Sequence, residues 1–389
     1  MKPVISDAVK YIGVDDTTID LFESQYIVPN GVSYNSYLIL DEKVALMDTV
    51  DKRGQEEWEK NLLDELNGRA VDYLVIQHLE PDHAGSIERL LQLFPEVTLV
   101  GTAKMFQMMP QFFNFDLEKQ NKIVVKEKDT LSLGSHTLTF LMAPMVHWPE
   151  VMVTYESSEK LLFSADGFGK FGALSYDDPE GWACEARRYY FNIVGKYGAP
   201  VQTLLKKASE VEIAKILPLH GPILEDNLEY YLSTYNTWSS YTPEDKGILI
   251  AYASIHGNTG VAAEKLGEML RAAGAEKVVV SDLAREDMAE VIEDAFRYDR
   301  MIVASSSYDA GVFPVMQDFL NHLTSKAYQK RKVGIMENGS WAPSAGRVMR
   351  TMLEGMKDIT IVEPLVTIKS TMKDSDLPQM EELVKAMLS

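Results

Sequence analysis

The chain is predicted to be an α/β protein of two domains, residues 1–245 and 246–389, the second a doubly wound parallel sheet. Three observations predict it. A length of 389 residues with 46% hydrophobic content can bury more core than one domain needs. Up to about residue 240, short β-rich runs mix with helical stretches. Beyond the polar, turn-rich Thr242-Pro243-Glu244-Asp245-Lys246-Gly247, strands and helices alternate. Several apolar runs also lead into a histidine or an aspartate, which places polar chemistry at strand ends, where α/β folds build sites.

In the first domain Ser36-Tyr37-Leu38-Ile39-Leu40 reads as a strand and Glu57 to Leu66 as a helix. Val71-Asp72-Tyr73-Leu74-Val75-Ile76 reads as a buried strand, and the loop leaving it carries His78-Leu79-Glu80-Pro81-Asp82-His83. The run Phe140 to Val146 leads to His147, Leu161 to Ala165 to Asp166, and Ile213 to Leu219 to His220. In the second domain Ile248 to Tyr252, Val278 to Val280, Met301 to Ala304 and Val333 to Met336 read as strands with helical segments between them. No internal repeat or low-complexity tract interrupts this order.

Composition narrows the function. A formal net charge of -20 speaks against nucleic acid or an anionic membrane surface as the main partner. No apolar run approaches the roughly 20 residues that span a bilayer, and the N-terminus lacks a signal pattern, so a cytoplasmic location is expected. The single cysteine, Cys184, rules out a disulfide framework and any Cys-x-x-Cys module within the chain. Any metal must therefore be held by histidine and carboxylate.

Seven candidates exist. His78, Glu80 and Asp82 alternate across one short loop beside His83, and spacings of 64, 19 and 54 positions lead on to His147, Asp166 and His220. Four imidazoles with three carboxylates suit two divalent ions of intermediate hardness, and iron, manganese and zinc are all admissible. Two such ions with three carboxylates leave one positive charge, which a bridging hydroxide would cancel, so the pair tolerates burial. A single histidine at a strand end is ordinarily a hydrogen-bonded structural residue, and Glu80 and Asp82 could serve only to cap a helix. The seven taken together outweigh those readings.

The His-x-Glu-x-Asp-His run with its downstream His147, Asp166 and His220 resembles the metallo-β-lactamase-like domain of flavodiiron proteins. Hydrolases of that superfamily carry histidine where this chain has Glu80, and a carboxylate there hardens the site toward iron. The resemblance implies an αββα sandwich with a non-haem diiron centre. In it His78, Glu80 and His147 would bind one iron, Asp82, His83 and His220 the other, and Asp166 would bridge them. It also implies a flavodoxin-like second domain holding FMN.

The residues of that second domain can be read on their own. Ser254-Ile255-His256-Gly257-Asn258-Thr259-Gly260 follows a strand and opens a helix, offering hydroxyls, backbone N–H groups and a helix N-terminus to a phosphate. It is neither Gly-x-Gly-x-x-Gly nor a P-loop, which disfavours dinucleotides and nucleoside triphosphates. Two further loops at strand C-terminal ends point to a flavin: Ser305-Ser306-Ser307-Tyr308-Asp309-Ala310-Gly311 and Glu337-Asn338-Gly339-Ser340-Trp341. Tyr308 and Trp341 are candidates to flank the isoalloxazine ring.

The function implied by the resemblance is reduction of dioxygen to water or of nitric oxide to nitrous oxide, with FMN as the electron inlet. It further implies a head-to-tail homodimer, or a dimer of dimers, and a separate rubredoxin-like electron donor. Reduced deazaflavin is a donor used by a variant of the family. A metal-dependent hydrolase with a regulatory flavodoxin-like domain and a passive flavin carrier are the competing classes; Glu80 opposes the first and seven filled ligand positions the second.

Other residues carry lesser expectations. Asp48 is a candidate to orient a metal-bound imidazole, Tyr26 and Tyr197 to line the substrate pocket, and Trp148 to shield it from water. Met105, Met108 and Met109 read as helix packing, Cys184 as a packing thiol, and Lys326, Lys330, Arg331 and Lys332 as a solvated helix end.

Overall fold

The computed structural model describes residues 3–389. The chain forms two compact units: one runs to Tyr190 and resumes over Tyr197–Asn236, the other takes Phe191–Lys196 and Thr237–Ser389.

The first unit is built on two sheets. In one, Tyr37–Leu40, Val44–Met47, Tyr73–Val75, Thr98–Thr102 and Asn121–Val125 lie in that order, with Val9–Tyr11 at the edge. In the other, Thr130–Ser132, Thr137–Met142, Met152–Glu156, Leu161–Phe163 and Lys215–Leu217 follow one another. Alternate residues of both sheets meet in one core, where Tyr37, Met47, Val75 and Val100 pack with Phe140, Met152, Phe163 and Leu217. Each such side chain contributes roughly 1.5–3 kcal/mol by leaving water. Trp58, Leu62 and Leu66 of the helix Gln55–Leu66 are buried outside that inter-sheet core, as the αββα layering requires.

Strand direction positions the site. Leu161–Phe163 and Lys215–Leu217 are parallel, with Phe163 opposite Leu217, so Asp166 and His220 emerge at the same end. Thr137–Met142 is antiparallel to Met152–Glu156, itself antiparallel to Leu161–Phe163, so the loop carrying His147 leaves at that end too.

The second unit is a parallel sheet in which Asp245–Ala253 lies between Val278–Asp282 and Tyr298–Tyr308. Arg331–Asn338 follows, and Ile359–Ile361 and Val366–Ile368 share the place beside it. This is the 2-1-3-4-5 strand order of flavodoxin-like folds. Ile250, Ala262, Leu266, Ile302 and Met336 form its core with Leu383 and Met387 of the helix Leu377–Leu388.

Several expectations change. Half of the polar stretch at 242–247 is strand, because Asp245–Ala253 begins at Asp245. Ser305, Ser306, Ser307 and Tyr308 continue the strand Tyr298–Tyr308, and Glu337 and Asn338 end the strand Arg331–Asn338, so the first of these predicted loops is largely ladder-paired backbone and the second is so only at its start. The basic cluster is a solvated helix end only in part: Lys326 caps the helix Pro314–Ser325 and Lys330 is exposed, but Arg331 is not solvated. Arg331 is buried and donates to the carbonyls of Tyr298, Tyr241 and Gln329, and Lys326 donates to the carbonyl of Asn192. Those carbonyls compete successfully with water for the guanidinium's fixed fork of donors. The packing readings of Met105 and Met109 hold, for both are buried, and Cys184 is half-buried in the helix Trp182–Tyr189.

Candidate metal centre and cofactor cavity

His78 and Glu80 lie in the loop after Tyr73–Val75, but Pro81–Ala84 is a short helix, so Asp82 and His83 ride a helical turn rather than the loop. Pro81 at its first position suits that start. Thr49 clamps the turn by donating its N–H and hydroxyl to the His83 carbonyl at 2.9 and 2.7 Å. The His220 loop is held by Asn35, whose amide donates to the carbonyls of Pro218 and Gly221 at 2.8 Å each, and by Tyr37, whose hydroxyl donates to Pro218 at 2.6 Å. Gly221 follows at φ 79°, where a side chain would be strained and would meet Lys170.

All seven candidate ligands converge. Donor atoms of His78, Glu80, His147 and Asp166 lie within 4.8 Å of one another, and so do those of Asp82, His83 and His220. One oxygen of Asp166 faces the first group, 3.1 Å from His78 Nε2 and 3.2 Å from His147 Nε2. Its other oxygen faces the second, 3.3 Å from His83 Nε2 and 3.8 Å from His220 Nε2. Glu80 is 3.1 Å from His78 and 3.0 Å from His147, and Asp82 is 3.3 Å from His83 and 3.2 Å from His220.

The donor set fits a pair of metal ions. Both oxygens of Asp82 and of Asp166 are buried without a hydrogen-bond partner among the described residues, outside their ion pairs with the imidazoles. Such groups are costly unless a cation satisfies them. The electrostatics agree. Burial opposes a charged His78, but Asp166, Glu150 and Glu80 outweigh it and hold the imidazole well above its ordinary value. Burial is likewise outweighed at His147, pushed up to about 9 by Asp166 and Glu80, and at His83, raised by Asp82 and Asp166. Burial raises Asp166 and Glu80, yet the imidazoles hold both carboxyls below the usual range. The carboxylates thus set up a field that favours positive charge at each group.

Reading the sequence missed the partners behind the ligands. His78 Nδ1 lies 2.9 Å from the Glu150 carboxyl, and His220 Nδ1 lies 2.7 Å from the Ser33 carbonyl. Asp48, expected to orient an imidazole, instead accepts from the N–H and side-chain amide of Gln77 at 2.7 and 2.9 Å. The tyrosines packed against His220 are the buried Tyr189 and Tyr34, 5.5 and 6.1 Å between ring centroids, while Tyr197 is half-buried where the helix Gly198–Ala208 begins. Tyr26 is buried against Phe171, and Trp148 stands edge-on to His78 at 5.2 Å. Nothing in the spacing of Glu150, Ser33 or Tyr189 marks them.

The second unit holds a cavity of about 740 Å³, within the roughly 300–1,000 Å³ of small-molecule sites. Ser254, Ile255, His256, Asn258, Thr259, Ser306, Ser307, Tyr308, Asp309, Ala310, Asn338, Gly339, Ser340 and Trp341 line it. Ser305 is fully buried, and Gly257 and Gly311 are not among the lining residues. Gly257 sits at φ 88° ahead of the helix Asn258–Ala272, whose first turn has no side-chain cap, leaving its N–H groups to a ligand. The hydroxyl of Thr259, in the first turn of that helix, meets the hydroxyl of Ser306, on the strand Tyr298–Tyr308, at 2.9 Å. Ala342, Pro343, Ser344, Arg347 and Ser370 complete the lining and were not foreseen. Glu337 turns away, accepting from Gly346 N–H and the Thr367 hydroxyl.

A His/carboxylate pair of metal groups in an αββα sandwich, joined to a 2-1-3-4-5 sheet with a cavity at its switch point, defines a class of metal-dependent flavoprotein. A sequence profile described as ODP family beta lactamase matches residues 32–221. A nitric oxide reductase of Moorella thermoacetica is 30% identical, covering 98% of this chain and 97% of its own. The anaerobic nitric oxide reductase flavorubredoxin of Escherichia coli is 28% identical over 91% of this chain and 75% of its own. Among solved structures, rubredoxin oxygen:oxidoreductase from the anaerobe Desulfovibrio gigas superposes with a TM-score of 0.93 at 26% identity, covering 100% of this chain and 98% of that one. The flavodiiron protein of Giardia intestinalis does so at 0.89 and 26%, with the same coverage. The chain belongs to the flavodiiron protein family and is an oxidoreductase.

Proposed function

We propose that this chain reduces dioxygen to water, nitric oxide to nitrous oxide, or both, at a non-haem diiron centre supplied with electrons through FMN. The observation that carries the reading is Asp166, whose two oxygens face two separate His/carboxylate groups. In this assignment His78, Glu80 and His147 would hold one iron and Asp82, His83 and His220 the other, with Asp166 offering one oxygen to each. Iron and FMN, when bound, supply the electrophile and the electrons for reducing a diatomic gas.

The protein's own groups do the rest. The three carboxylates offset most of the charge of two divalent ions, which keeps them in a buried site. Trp148 beside His78, and Phe22, Tyr34 and Tyr189 around His220, place aromatic edges against the ligands and restrict water. In the other unit the N–H groups that open the helix Asn258–Ala272 and the Thr259 and Ser306 hydroxyls would hold the FMN phosphate. Tyr308 and Trp341, both exposed at the cavity, would flank the flavin ring.

The proposal assigns 1–245 to the diiron domain and 246–389 to the FMN domain. A rubredoxin-like carrier is the donor, and a head-to-tail homodimer or a dimer of dimers the working assembly, in the cytoplasm. Among the described residues no helix is long and apolar enough to cross a membrane. Metal and flavin analysis of the purified protein tests the reading, followed by anaerobic reduction and separate exposure to each gas. Two irons and one FMN per chain with rapid turnover of a gas are expected; zinc in the metal groups, with hydrolytic activity, would overturn it.

A further inference from the structure

Each imidazole that turns Nε2 toward a metal must dispose of its Nδ1–H, and the three best-buried histidines of the centre do so in three different ways. His78 Nδ1 lies 2.9 Å from Glu150 Oε1. The same oxygen accepts from the Leu79 N–H at 2.9 Å. His220 Nδ1 donates to the Ser33 carbonyl, a neutral acceptor, at 2.7 Å. His83 Nδ1 is buried with no hydrogen-bond partner among the described residues. Glu150 has no accessible side-chain surface, and its Oε2 has no hydrogen-bond partner among the described residues. Its backbone is pinned by the Thr102 hydroxyl, which donates to its carbonyl at 3.1 Å.

A carboxylate behind a metal-bound imidazole fixes the ring's tautomer and orientation and makes it a stronger donor; a carbonyl does so less, and an empty flank not at all. In a water-excluded site that difference is large. Resting on the diiron reading, we propose that Glu150 is a positioning residue that makes the two metal subsites unequal. The ion held by His78, Glu80 and His147 is bound more tightly than the ion held by Asp82, His83 and His220. The two groups sharing Asp166 are thus one firm subsite and one labile subsite, and metal leaves and returns through the labile one first.

The test is iron release from ⁵⁷Fe-labelled holoprotein under a chelator, followed by Mössbauer spectroscopy. The wild type releases its irons in two phases, and the half-depleted protein keeps one quadrupole doublet. Glu150→Gln retains the shape and an acceptor oxygen for both bonds but removes the charge. It speeds the slow phase by on the order of 10-fold, within the range for outer-shell partners, and shifts only the retained doublet. Glu150→Asp, which keeps the charge, falls between the two.

One release phase in the wild type, or a folded Glu150→Gln protein with wild-type release and spectra, overturns the proposal. Should Glu150→Gln fail to fold, the wild-type phases and Glu150→Asp decide it. A purified protein without paired iron would sink the diiron reading itself; paired iron released in one phase would sink this inference alone.

Discussion

At the metal centre seven side chains carry the chemistry and six of them are buried, with only Glu80 partly open. At the cavity of the second unit hydroxyls, amides and backbone share the lining with apolar and aromatic side chains and with only three ionisable ones, His256, Asp309 and Arg347, and Trp341 is 92% exposed. The first is held by a network of fixed partners such as Thr49, Asn35 and Tyr37. The second rests on the ends of three strands and the start of one helix. A cation pair needs ionisable groups brought together and desolvated in advance, whereas a phosphate and a flat ring need N–H groups and room. The two sites should therefore fail differently.

The hardest break is Asp166→Asn, which weakens the shared ligand of both groups. It is expected to lose both irons and more activity than the roughly 10–100-fold typical of an outer-shell partner, while FMN content is unchanged. Metal analysis beside the flavin spectrum reads both at once; iron retained at the wild-type level would contradict the bridging role.

Gly257→Ala tests the other side. A side chain at φ 88° costs about 1–2 kcal/mol in a left-handed conformation, so FMN binding should weaken roughly 10-fold with iron content intact. Titration of the flavin-free protein with FMN measures it, and an unchanged affinity would remove the helix-opening turn from the flavin site.

This contrast also explains what could be read beforehand. His78, Glu80, Asp82, His83, His147, Asp166 and His220 stand out because few folds have another use for so many buried imidazoles and carboxylates. Glu150 was invisible, since one glutamate before a strand looks like any other until the His78 ring is seen against it. The cavity's three strand ends were legible from turn-forming residues. The extension of the strand through Ser305–Tyr308 was not, because serine favours turns locally and only pairing overrides that, of Ser305 and Ser306 with Arg331–Asn338 and of Ser307 and Tyr308 with Gly311–Val312. Arg331 reads as surface in a run of lysines, yet the surrounding carbonyls bury it.

The smallest effect lies away from both sites. His136 is held between Asp41 at 2.8 Å and Glu159 at 3.2 Å. Burial opposes its charge, but these carboxylates raise it; burial raises Asp41, but His136 hydrogen bonds hold it below the usual range. The carboxylate's contribution is present above about pH 4 and lost as pH falls through its lowered value. The imidazole's is complete below about pH 6.5 and lost as pH rises through its raised one. Asp41→Asn should therefore lower the melting temperature by about 2–4 °C near pH 5–6, with a gap that narrows on either side and no change in iron or FMN. A gap that does not vary with pH would show that charge is not what the pair contributes.

The central claim, that electrons entering at the flavin leave at the metals, is tested most directly by stripping iron from the reduced holoprotein and mixing both forms anaerobically with nitric oxide, and separately with dioxygen. The holoprotein should reoxidise its flavin rapidly with one or both gases, forming nitrous oxide or water, while the stripped protein keeps its flavin reduced in nitric oxide and reacts with dioxygen only at the slow rate of the flavin alone. Equal rates in the two forms would contradict the account.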